Sequence, residues 1–178
     1  MPTLQVIAVS ELLRAAGFPK SVILKVTAGL PGGQVFWRLC TSIGDDDANA
    51  NMSKLFKSIR KNIDDNEKRS NFLVMLTALA NAATQQDYGA VLANSVVTLK
   101  PAHKFTYQNK NHSVLELKQG KKDRLYFFAE HFSAFPCIVL LLAHHKKDQT
   151  TPKEVTSHCE AAMRTCLAST AKVSIKQE

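Results

Sequence analysis

Residues 137–143, Cys-Ile-Val-Leu-Leu-Leu-Ala, form the longest apolar run in the chain. A short run of this kind fits a central strand covered on both faces. It is far below the roughly 20 residues needed to cross a bilayer. The segments before it alternate. In His112 to Lys118, Leu115 and Leu117 face one way while Glu116 and Lys118 face the other, the two-residue period of a strand. Gln119-Gly120-Lys121-Lys122 reads as a hairpin turn. In Asp123 to Ala129, Arg124, Tyr126 and Phe128 share one face, with Leu125 and Phe127 on the opposite one. After the apolar run, Thr151-Pro152-Lys153-Glu154 combines a cap, a first-turn proline and a glutamate three residues on. That capping box predicts a helix with Val155, Cys159, Ala162, Met163 and Cys166 as its packing stripe.

The first part of the chain carries a different period. Ser10 is placed to cap a helix over Glu11 to Ala16, ended by Gly17, and Pro19 opens a second helix to Ala28. Residues 1–33 therefore read as a helical extension. Val35 to Cys40 follows as a strand, and Gly44 to Asn49 as a mobile acidic loop. From Ser53 to Ala83 the spacing of Leu55, Phe56, Ile59 and Ile63, then of Phe72, Leu73, Leu76, Leu79 and Ala80, predicts a pair of helices. Val91 to Leu99 is ambiguous, Thr98 to His112 reads as a basic connection, and the tail from Ser169 is expected to be loose. The fold class is α+β, with a domain over residues 34–168.

Charge narrows the partners. The net charge is +8. Residues 1–51 cancel at four basic and four acidic groups, so the excess lies beyond them. Between Thr98 and Lys153 ten basic groups face four acidic ones. Concentrated positive charge points to a polyanion or an acidic protein. The four cysteines form no CxxC pair, which favours neither a zinc site nor a disulfide framework, and a reduced cytoplasmic setting is expected. The N-terminus lacks the basic start and apolar core of a secretory signal. There is no phosphate-cradling glycine loop, GxSxG or HExxH, and neither a metal nor another cofactor is expected.

Several residues can act on RNA. Lys118, Arg124 and Tyr126 lie on one side of neighbouring strands, and His144 and His145 end the next strand just before Lys146 and Lys147. Lys100, Lys104, Lys121 and Lys122 add phosphate-binding charge. Tyrosine can stack on a splayed base. Arginine can stabilise the phosphorane formed when a 2′-hydroxyl attacks its own 3′-phosphate, and histidine can move a proton near neutral pH.

Taken in order, Leu115-Glu116-Leu117-Lys118, Arg124-Leu125-Tyr126-Phe127-Phe128, Ile138-Val139-Leu140-Leu141 and His145-Lys146-Lys147-Asp148-Gln149-Thr150-Thr151-Pro152 resemble the RelE/HigB toxin superfamily, especially its phage-derived HigB-like branch. The resemblance covers roughly residues 34–168. It implies a helical pair on a small twisted antiparallel sheet with a C-terminal helix. It also implies ribosome-dependent, metal-independent cleavage of mRNA, translation inhibition, and a cognate antitoxin, expected to be of the helix-turn-helix kind. Arg124 then holds the phosphate-stabilising position. Lys118 stands where that family's strand ends in arginine, and Lys146-Lys147 match its lysine pair. Two other readings stay open: a relative of the same fold that binds RNA or protein without cleaving, and a ParE-like inhibitor of DNA gyrase. The cleavage reading requires Lys118, Arg124, Tyr126, Lys146 and Lys147 to converge on one accessible surface.

Overall fold

The computed structural model describes residues 3–45, 47–133, 135–168 and 174–176. Its centre is a seven-stranded mixed sheet in the order β3-β4-β5-β6-β2-β1-β7. Four strands form an antiparallel meander: β3 (Thr98–Tyr107), β4 (Lys110–Gln119), β5 (Asp123–His131) and β6 (Pro136–His145). β2 (Arg38–Ile43) then joins β6 in parallel, with Cys40 opposite Val139. β1 (Thr3–Val6) lies antiparallel to β2, and β7 (Ser174–Lys176) runs parallel to β1.

The sheet is covered on both sides. One face carries α1 (Val9–Ala15), α2 (Lys20–Ala28), α3 (Lys54–Asn62), α4 (Asn66–Ala82) and α5 (Tyr88–Ala93), whose Leu12, Leu13, Phe56, Ile59, Phe72, Met75 and Leu76 share a core with Leu117, Leu125, Phe127 and Leu140. The other face carries α6 (Lys153–Leu167), whose Val155, Cys159, Met163 and Cys166 pack on Tyr126, Phe128, Val139 and Leu141. The central position of β6 follows from its apolar stretch Cys137–Ala143, since a strand covered on both faces has no use for polar side chains there.

Several expectations need correction. The extension expected over residues 1–33 is, in its described part from Thr3, no separate unit: β1 is an inner strand and Leu12, Leu13, Ala16 and Ile23 enter the main core. The sheet is larger than the small antiparallel one expected, and mixed. The strand expected at Val35 begins at Arg38, because the amides of Phe36 and Trp37 both donate to the carbonyl of Ala83 at the end of α4. Ser10 lies inside α1; the amide of Ala8 donates instead to Glu11 Oε2 at 2.7 Å. The Thr151 box does not form, since α6 starts at Lys153 after Pro152 with no side-chain cap. Thr98 to His112 is a hairpin rather than a connection: Gln108 and Asn109 both take positive φ (50° and 60°), the twist a two-residue turn requires. Pro101 sits beside a bulge on the outermost strand, where a missing amide costs least. Of the expected tail, 174–176 is a strand; 169–173 and 177–178 lie outside the described residues. Asp46 of the acidic loop does too, and around it Asp47 closes the turn onto the Gly44 amide at 3.2 Å.

Candidate functional site

The register fixes two neighbouring polar rows across the meander. Lys100 lies opposite Glu116, Glu116 opposite Tyr126, and Lys118 opposite Arg124, which lies opposite His144. The predicted Lys118, Arg124, Tyr126 and His144 therefore do share a sheet face. It is the face that α6 covers.

That cover changes their chemistry. Glu116 is fully buried, and three cations converge on it: Arg124 Nε at 3.2 Å, Lys100 Nζ at 3.3 Å and Lys146 Nζ at 3.6 Å. Arg124 is 6 % exposed and Lys146 4 %. Arg124 also donates to the carbonyls of Asp123 at 2.9 Å and Lys121 at 3.1 Å, clamping the β4–β5 turn. None of the contacts to Glu116 from Arg124 is an aligned hydrogen bond, so the group is held by charge rather than by directed donors. Burial pulls the Lys146 ammonium below its ordinary range, with Glu116 opposing the shift. Tyr126 is 1 % exposed, and burial raises its phenol well above the usual value.

Arg124, Tyr126 and Lys146 are thus corrected from surface residues to buried ones. The physical cause is Glu116, a lone carboxylate on the polar side of β4, which draws the cations inward under α6. The sequence signal was present: Glu116 is the single acid between Asp87 and Asp123.

The two histidines diverge. His145 Nδ1 lies 2.7 Å from Asp123 Oδ1, and Asp123 Oδ2 accepts from Asn71 Nδ2 of α4 at 2.7 Å. This chain ties the sheet end to the helix, so His145 is a structural partner. His144 Nε2 is buried without a hydrogen-bond partner. Its imidazole is held below the ordinary range, first by burial and then by His145, Lys146 and Lys61.

The remaining lysines are accessible. Lys121, Lys122 and Lys147 are exposed and Lys118 is half-buried. The Lys146 amide donates to the Lys122 carbonyl at 2.8 Å, which brings the segment after β6 against the β4–β5 turn. These four positive groups therefore gather at one end of the sheet. Lys100 is exposed but engaged with Glu116. Lys104 does not join them. It lies opposite Ser113, one residue from the pair His103–Val114, and Val114 belongs to the core under α6. Alternation therefore turns Lys104 to the other face.

No family model, curated protein or solved structure matches the chain. Among the described residues no group of three or more His, Cys, Asp or Glu side chains is placed to hold a metal ion, and no helix is long and apolar enough to cross a membrane.

Proposed function

We propose that this chain binds single-stranded RNA through the lysines at the β4–β5 turn and does not cleave it: a relative of the RelE/HigB layout that keeps a basic surface without the nuclease chemistry. The observation that carries this reading is the Arg124–Glu116 ion pair. An arginine that stabilises a transition-state phosphate must reach it, and here the guanidinium is spent on a carboxylate and two carbonyls beneath a helix. The surface left for RNA is Lys118, Lys121, Lys122 and Lys147. The strand series quoted above, the helical pair α3–α4 and the terminal helix α6 are compatible with the layout that the resemblance implies. Cleavage of mRNA on the ribosome, with an antitoxin as inhibitor, would require α6 and residues 146–152 to leave this face.

Fluorescence anisotropy with a labelled single-stranded RNA of twelve nucleotides tests the proposal. The slope of log affinity against log salt is expected at no more than about −3, roughly −0.7 for each of four lysines. Replacing all four by glutamine should abolish the salt-dependent part. Salt-insensitive binding, or none, would remove the reading. Specific cuts in ribosome-bound mRNA, lost on Arg124→Ala, would replace it with the nuclease.

A further inference from the structure

The sheet contains a second place where charge and shape meet. β2 and β6 are adjacent and parallel, yet they feed helices on opposite faces: β2 leads to α3 on one side, β6 to α6 on the other. In open sheets such a reversal leaves a crevice beyond the carboxyl ends of the two strands, where ligands bind. β2 stops at Ile43, while β6 continues to His145. The free edge of β6 is taken by α3: the Ala143 amide donates to Ser58 Oγ at 3.0 Å, and Asn62 Nδ2 donates to the Ala143 carbonyl at 3.1 Å. With that edge satisfied, no further strand is needed and the volume beside it stays open.

A cavity of about 730 Å³ occupies the place, between the strand ends, α3 and the first half of α6. This falls within the range of small-molecule sites. Its floor is apolar, from Leu140, Leu142 and Val155. Its rim is a row of lysines, Lys54, Lys57 and Lys61, spaced to fall along one side of α3. Lys57 is paired at 3.8 Å with Asp47, which also lines the rim together with Glu154. Among the described residues Lys54 and Lys61 have no acidic partner within ion-pair distance. Opposite them stand His158 of α6 and His144 of β6, the latter with its buried, unpartnered Nε2. Orphaned polar atoms of this kind normally acquire a partner.

We propose that this crevice binds a phosphomonoester with a flat apolar body, of the size of a nucleoside monophosphate. The phosphate lies along Lys54 and Lys61 with the histidines beside it, and the ring rests on the Leu140–Leu142–Val155 floor. The ligand is either a free nucleotide or the phosphorylated end of an RNA. The proposal does not depend on RNA binding at the β4–β5 turn, since none of those four lysines lines the crevice.

Isothermal titration calorimetry on the full chain separates the cases, with adenosine monophosphate, adenosine, and a trinucleotide with and without a 5′-phosphate as probes. Binding of adenosine monophosphate, or of the phosphorylated trinucleotide alone, supports the site and names the source. In either case removal of the phosphate should weaken binding at least tenfold. Lys54→Gln with Lys61→Gln should do the same, and both side chains are exposed, so an unchanged melting temperature is expected. Replacing Lys118, Lys121, Lys122 and Lys147 by glutamine should leave this binding intact even where it abolishes binding of the long RNA. No binding of either phosphorylated probe at millimolar concentration overturns the proposal, as does binding that ignores both the phosphate and the two lysines.

Discussion

The same two strands, β4 and β5, present two unlike faces. Towards α4 they show Leu117, Leu125 and Phe127, all fully buried among leucine, isoleucine, phenylalanine and methionine from the helices. Towards α6, one residue away along each strand, they show Glu116, Arg124 and Tyr126, also buried. The first face is held by the removal of apolar surface from water, which is tolerant of direction. The second is held by a charge balance that works only while every partner is present. Two layers of equal burial therefore differ in how they fail.

The largest effect is expected on the apolar face. Phe127→Ala removes a ring that meets Tyr88 with centroids 6.2 Å apart and leaves a void in the centre of the core. Such truncations cost about 3–5 kcal/mol. Urea unfolding followed by circular dichroism should show a lower midpoint with an unchanged slope. A loss under about 1 kcal/mol would mean that the helices can collapse onto the sheet and that this core is less tightly fitted than its burial indicates.

The polar face should behave differently. Glu116→Gln leaves Arg124 and Lys146 buried with no counter-charge, at a cost of roughly 3–4 kcal/mol, because uncompensated buried charge is dearer than a lost attraction. The triple change Glu116→Leu, Arg124→Met, Lys146→Met removes the charges together, and most of the lost stability should return. A single change on the apolar face has no such rescue. If the triple variant is as unstable as Glu116→Gln, the clamp of Arg124 on the Asp123 and Lys121 carbonyls matters more than the charge balance, and the comparison must be redrawn around the turn.

This contrast also marks what could be read from the chain. Alternation put Leu117 and Leu125 on one side and Arg124 and Tyr126 on the other, and the hairpin turn at Gly120, whose φ is 64°, was legible as a turn. Periodicity also gave α3 and α4; the structure caps them with the side chains of Ser53 and Asp65. Alternation does not say whether a polar face meets water. That depends on where α6 lands, a contact between residues far apart in sequence, so Arg124, Tyr126 and Lys146 were placed on the right face but at the wrong depth. β1 was missed because four residues, Thr-Leu-Gln-Val, carry too short a pattern to outweigh the helices that follow. β3 was hidden by Pro101 and by charges that interrupt its alternation, and Gln108 is not a usual residue for a left-handed turn. The crevice was invisible for a further reason. Lys54 and Lys61 read as an ordinary solvated helix side, and only the parallel pairing of β2 with β6 sets them opposite His144 and His158.

The smallest effect lies where the two faces meet, at His158. Burial, aided by Lys54, lowers its pKa from 6.5 to about 4. The folded protein thus keeps this imidazole neutral, while the unfolded chain takes up a proton near pH 6.5. Between those values the unfolded state binds more protons, so stability must fall as pH drops from about 6.5 towards 4, and this contribution is complete above 6.5. His158→Gln removes the difference. Unfolding midpoints measured at pH 7.5, 5.5 and 4.5 should therefore converge: the wild-type chain loses more stability on acidification than the variant does. Parallel losses in the two would place His158 in contact with water. Its imidazole would then protonate near its ordinary value of about 6.5, and below that pH it would add positive charge to the lysine row of α3 on the crevice rim.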